Sequence, residues 1–203
     1  MIGIVDFGST GNVQSVANAF ARAGETAPVI RKFDCTAKLD GLVIPGVGSF
    51  SVVPKLVSVL GGAKKASEIR IPVLCICLGM QAMLEKSEEA PGAAGLGIIT
   101  GRVKRLVGKV RLPQLGWNSV WQNGSDELFD GIEDGSYFYF ANTYAAFPSV
   151  PECVIGKSRY GSEFVSAVRK GNWWGVQFHP EKSGSAGQKM IENFIGISRE
   201  WKR

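Results

Sequence analysis

The chain has 203 residues, 45% of them hydrophobic and 20% charged, a balance that fits one globular domain with a sizeable core and excludes intrinsic disorder. The net charge is +5, but the basic residues are scattered. The densest stretch, 102–111, is broken by valine and leucine with no stacking-aromatic motif, so nucleic acid is not an expected partner and a protein with an acidic face suits the charge better.

In chain order, IGIVDF (2–7) reads as a buried strand rather than a signal peptide, because no basic start precedes it. A glycine-rich turn follows, then Val13, Val16, Ala17 and Phe20 at the spacing of one helix face, ended by Ala23-Gly24. APVIR (27–31) and GLVIPG (41–46) predict further strands, and Val53, Leu56, Val57 and Leu60 repeat the helical stripe before Gly61-Gly62. IPVLCIC (71–77) is the most continuous apolar run, as expected of a central parallel strand covered on both faces. From about Gly95 to Phe178 the segments turn short and β-rich, including FVSAVRK-GN-WWGVQF, a hairpin turned at Gly171-Asn172. Ala186, Met190, Ile191, Phe194 and Ile195 share one face of a final helix. The expected fold is α/β: one domain, 1–203, with an open, mostly parallel, doubly wound sheet and an antiparallel β insertion in its second half. No apolar run approaches the roughly 20 residues a bilayer requires, so neither a membrane span nor any location but the cytoplasm is expected.

The cysteines are Cys35, Cys75, Cys77 and Cys153, and with no secretory signal they read as reduced thiols. None is spaced as in a zinc knuckle, and the chain has a single histidine, His179, so neither a metal nor a cofactor is expected. Any cysteine–histidine chemistry has only that one base.

Three stretches carry chemistry. In LCICLGMQA (74–82), Cys77 ends the central strand and Gly79 permits a tight strand-to-helix turn, resembling the nucleophile elbow of hydrolases. That turn places the thiol at a helix N-terminus, where the dipole favours thiolate; Cys75, two residues back, reads as a small core residue. In QFHPEKS (177–183), His179 precedes proline and is biased to extended backbone, so Glu181 two residues on faces the same side and suits the role of fixing its tautomer. In PGVGSF (45–50), Gly46 and Gly48 flank Val47 and let backbone amides point into a crevice, as an oxyanion hole requires.

Together these motifs resemble the class I (triad) glutamine amidotransferases, and within them the glutaminase subunits of imidazole glycerol phosphate synthase, a likeness that extends to SEEAPG (87–92), RLPQLGWN (111–118) and RKGNWWGVQFHPEKS. The resemblance implies hydrolysis of L-glutamine to glutamate and ammonia, with Cys77 as nucleophile, His179 as base and acid, and Glu181 orienting it. It further implies an oxyanion hole at Val47 and Leu78, and glutamine held by Gly46, Gly48, Gln81, Glu89, Thr143 and Tyr144. By the same likeness a (β/α)8-barrel synthase subunit receives the ammonia in a heterodimer serving histidine biosynthesis, against a surface containing Asn12, Trp117, Asn118, Tyr139 and Lys182. It also implies a gate, the Gly46-Val47 peptide turning only when the partner binds its substrate. The chain departs from the family pattern at Cys75, where glycine is usual, at Asn142 and Gln114, where histidine is frequent, and in a first loop (DFGSTGN) one residue longer than usual. Two other readings stand beside this one: a phosphate-cradling module built on GSTGN, and a glutaminase feeding a sugar amidotransferase.

Overall fold

A computed structural model describes residues 1–8, 12–33 and 38–201. Cys35 and most of the GSTGN loop lie outside the described residues. The first half follows the expected alternation: β1 (Ile2–Val5), α1 (Val13–Arg22), β2 (Val29–Ile30), β3 (Gly41–Gly46), α2 (Val53–Val59), α3 (Ala63–Ser67), β4 (Val73–Cys77) and α4 (Leu78–Ala82). The second half supplies β5 (Lys86–Ser87), β6 (Gly101–Arg105), β7 (Gln114–Ser119), β8 (Trp121–Gln122), β9 (Tyr137–Asn142), β10 (Tyr144–Pro148), β11 (Val154–Tyr160), β12 (Ser162–Lys170), β13 (Trp173–Val176) and a closing helix, α5 (Gly184–Glu200).

Among the described residues one sheet of eleven strands runs in the order β2-β1-β3-β4-β13-β12-β10-β6-β5, with β11 on β12 and β8 on β11. From β2 to β13 the neighbours are parallel. Beyond β13 they are mostly antiparallel, beginning with the β12–β13 hairpin at Gly171-Asn172. The mixed α/β architecture is the expected one, with a refinement: most of the antiparallel strands extend the central sheet edge to edge, and only β7 and β9 pair as a separate two-stranded sheet. The strand expected over 27–31 contracts to Val29–Ile30, which among the described residues pairs with β1 at the edge of the sheet.

β1, β3 and β4 are buried throughout because both sheet faces are covered. Alternate residues enter different cores. Ile4, Val43, Leu74 and Ile76 pack with Phe20 of α1 and Met190, Ile191 and Phe194 of α5. Val5, Leu42, Ile44, Val73 and Cys75 pack with Leu56 of α2 and Met80 of α4. Burial of these side chains, at roughly 1.5–3 kcal/mol each, is the main term holding the sheet between its helices. Among the described residues no helix is long and apolar enough to cross a membrane.

Candidate active site

The register of the parallel strands assembles the site. Gly46 at the end of β3 lies level with Cys77 at the end of β4. On the other flank Val176 pairs with Ile76, so the segment leaving β13 begins beside the same cysteine. This is the carboxyl edge of a parallel sheet, the usual place for a ligand crevice in such folds.

Cys77 has φ 54° and ψ −106° and is the one non-glycine residue with positive φ among the described residues. Such a backbone costs on the order of 1–3 kcal/mol and persists only where the surroundings over-determine it. Here close packing does so. A β-carbon on Gly79 would lie 2.0 Å from the Ile44 carbonyl oxygen, and one on Gly46 would lie 2.9 Å from Leu78 Cβ. Helix α4 therefore presses directly on β3, and the turn has no room to relax. The turn also breaks strand alternation. Cys75 packs in the core on the α2 side whereas Cys77 packs with the opposite core, 6% exposed. Burial pushes the Cys75 thiol far up, leaving it an inert core group.

His179 is placed by hydrogen bonds. Its backbone is extended (φ −108°, ψ 92°). Its amide donates to the Tyr139 carbonyl at 2.9 Å. Its own carbonyl accepts from Ser183 Oγ at 2.6 Å, and that same oxygen accepts from the Tyr139 amide at 3.0 Å. His179 Nδ1 lies 2.8 Å from Glu181 Oε1, with both side chains buried (1% and 0% exposed). Nδ1 is thus taken by the carboxylate, and Nε2 is buried without a hydrogen-bond partner among the described residues, open to the sulfur or to a leaving group. Burial works to lower the imidazole's pKa. The negative charge of the nearby Cys77 sulfur, followed by Glu181, outweighs it and pushes the pKa up to about 10. The resting pair therefore favours the imidazolium, ready to give its proton to a leaving group.

Cys77 and His179 line one cavity of about 230 Å³, together with Val47, Gly48, Leu78, Gln81, Glu89, Thr143 and Tyr144. This is below the roughly 300–1,000 Å³ of drug-sized ligands and suits one small polar molecule. Of the expected glutamine contacts only Gly46 is absent from the wall; it lies beneath, packed on Leu78. Glu89 is fixed by accepting from the Phe50 amide at 2.7 Å. Gln81 Nε2 donates to both the Tyr144 carbonyl (3.0 Å) and Gln177 Oε1 (3.1 Å), which leaves its own oxygen as its free group toward a ligand. The amide of Leu78 opens α4, where helix geometry leaves it without an intrahelical partner.

Gln177 is the residue that sequence reasoning missed. It is fully buried and its Nε2 donates to Cys77 Sγ at 3.6 Å. No local pattern marked it, since its contact with Cys77 spans a hundred residues of chain.

The expected partner surface divides. On β7 and β9, Leu115, Trp117 and Tyr137 stand on the outer face at 67%, 56% and 64% exposure. Trp117 meets Tyr139 edge-on at 6.2 Å, and Lys182 Nζ lies 5.7 Å from the Tyr139 ring centroid. Lys182 also reaches the cavity wall, so this aromatic face adjoins the pocket. Asn118 and Asn12 are held by other contacts. Asn118 is half-buried, its side chain donating to the Arg159 carbonyl and accepting from the Ser119 amide. Asn12 is 2% exposed with Nδ2 3.4 Å from His179 Nδ1, because the start of α1 packs against the 180–182 turn.

With this geometry in place, similarity to known proteins is informative. The glutamine amidotransferase class-I family model matches residues 4–197. The imidazole glycerol phosphate synthase subunit HisH of Methanocaldococcus jannaschii is 41% identical over 198 residues, covering 97% of this chain and all of that protein. The protein of the same name from Bacillus cereus is 38% identical over 208 residues, covering 100% of this chain and 97% of that one. Among solved structures, the glutaminase domain of Trypanosoma brucei CTPS superposes with a TM-score of 0.72 at 16% identity, covering 100% of this chain and 94% of its own.

Proposed function

Because the chain belongs to the class-I glutamine amidotransferase family, we propose that Cys77, His179 and Glu181 form its catalytic triad, working as the glutaminase subunit of an imidazole glycerol phosphate synthase. The observation that carries this reading is the buried Glu181–His179 pair at 2.8 Å sharing a small cavity with a cysteine held in a strained turn. Cys77 Sγ attacks the carboxamide carbon of L-glutamine. The developing oxyanion is stabilised by the amides of Leu78 and Val47. His179 delivers its proton to the departing ammonia, then takes one from the water that cleaves the thioester, releasing glutamate. Glu181 holds the imidazole in one tautomer throughout. Glu89 matches the substrate's α-ammonium in charge, and the free Gln81 oxygen matches a substrate N–H.

Ammonia set free in water would be protonated and lost, so productive use requires a sealed exit. The outer face of β7 and β9, with Trp117, Tyr137 and Tyr139 rimmed by Lys182, has the aromatic centre and charged edge of a protein interface. In this reading it seats a (β/α)8-barrel synthase subunit, which carries the ammonia to its acceptor in histidine biosynthesis. The Gly46-Val47 peptide serves as the gate.

The decisive experiment is glutamine hydrolysis by the isolated chain and with a barrel synthase plus its nucleotide ligand. Low activity alone and strong stimulation in the complex are expected; full activity in isolation removes the gate. Cys77→Ser is expected to stay folded and partner-competent with hydrolysis abolished, while Cys75→Ser retains turnover. Equal loss in both variants would mean that the wrong thiol is named.

A further inference from the structure

Gln177 has no part in the chemistry above, yet it touches the reacting sulfur. It follows β13 directly, at the bend that leads to His179, with its backbone amide donating to the Ser166 carbonyl at 2.9 Å. The register of β13 against β4 brings it level with Cys77. One strand end therefore delivers an amide donor to the sulfur and the imidazole to the same cavity. The amide cannot turn over. Gln177 Oε1 accepts from Gln81 Nε2 at 3.1 Å, and the other hydrogen of that nitrogen is committed to the Tyr144 carbonyl at 3.0 Å. Reversing Gln177 would set two amide NH2 groups against each other and aim a carbonyl oxygen at the sulfur. The chain of contacts from Tyr144 through Gln81 to Gln177 fixes which end of the Gln177 side chain meets Cys77.

We propose that Gln177 is a further catalytic residue: its Nε2–H donates to Cys77 Sγ, favours the thiolate and aims it at the substrate carbonyl, in an orientation locked by Gln81. A buried anion needs donors, and this one is neutral, so it stays in place while His179 gains and loses its proton. Gln81 is at once part of the substrate wall and of the lock, which ties occupancy of the pocket to the aim of the sulfur. This inference rests on the glutaminase reading of the same site, and its test separates the two.

The test is the pH dependence of Cys77 alkylation by iodoacetamide in the full chain, followed peptide by peptide, for the unaltered protein, Gln177→Met and Gln177→Glu. Gln177→Met keeps the side-chain length without the donor, and Gln177→Glu keeps the shape and sets a negative charge at the sulfur. The alkylation midpoint is expected to rise by about one pH unit in the first and further in the second. In the synthase complex, kcat for glutamine is expected to fall about tenfold with KM within about threefold. Alkylation profiles that superpose on that of the unaltered protein, or an unchanged kcat, overturn the proposal. Should Gln177→Met fail to fold, Gln81→Met releases the lock without emptying the Gln177 site and is expected to shift the midpoint in the same direction; no shift there overturns the proposal equally. A shifted alkylation profile in a chain that never hydrolyses glutamine would uphold the donor role and sink the glutaminase reading.

Discussion

The first half of the chain and its second half each contribute one member of the proposed reacting pair, at the ends of the neighbouring parallel strands β4 and β13, and they hold it by different physics. Cys77 is clamped by contact: α4 lies on β3 with glycines at both touching points, leaving the strained turn no alternative. His179 is suspended by polar links to Tyr139, Ser183 and Glu181. The nucleophile's side should therefore fail by added bulk and the base's side by lost hydrogen bonds.

Gly79→Ala probes the clamp and has the largest expected effect. Its β-carbon would meet a backbone oxygen held in the sheet, so destabilisation of more than about 3 kcal/mol is expected, read as a shifted denaturant midpoint at unchanged slope. A cost under about 1 kcal/mol would show that α4 can lift away and that the clamp is not what fixes Cys77. Ser183→Ala probes the suspension. It strips partners from the His179 carbonyl and the Tyr139 amide, for an expected loss of about 1–3 kcal/mol in stability. Glutamine turnover in the complex should fall with it, since the base loses its staple; normal turnover would show that Glu181 alone suffices.

The single histidine gives one set of ring signals in an NMR titration. With its pKa pushed up to about 10 against about 6.5 when unfolded, the charged ring contributes stability that is full below pH 6.5 and fades as the pH rises through 10. The ring signals should therefore show no midpoint near 6.5. In Cys77→Ser the midpoint should drop, because burial then works against the charge with only Glu181 opposing it. A midpoint near 6.5 in the unaltered protein would break the ion-pair account. Trp117→Ala should leave folding within about 0.5 kcal/mol, its ring being exposed, while weakening the synthase complex more than tenfold. Unchanged binding would move the interface elsewhere.

The two halves also differ in how far they could be read from sequence. IGIV, GLVIPG and VLCIC were readable as parallel strands because burial on both faces leaves continuous apolar runs, whereas Glu181 reaches His179 through the single helical turn 180–182 and not through the extended backbone that the sequence suggested. The separate β7–β9 pair was not readable, since which short antiparallel segment leaves the main sheet is decided by long-range pairing. Asn12 was assigned to a surface because nothing local reveals that the start of α1 lies under the imidazole. Gln177 was overlooked because its partner, Cys77, is a hundred residues away and becomes its neighbour only through the β13–β4 register.

Tyr139 accepts the amide of His179 with its carbonyl while its ring borders the aromatic face. Pressure on that ring reaches the general base through a single residue. A compound stuck to the outer wall, away from the cavity, would thus be expected to slow turnover without competing with glutamine, which offers a route to non-competitive inhibition that the small substrate pocket itself does not.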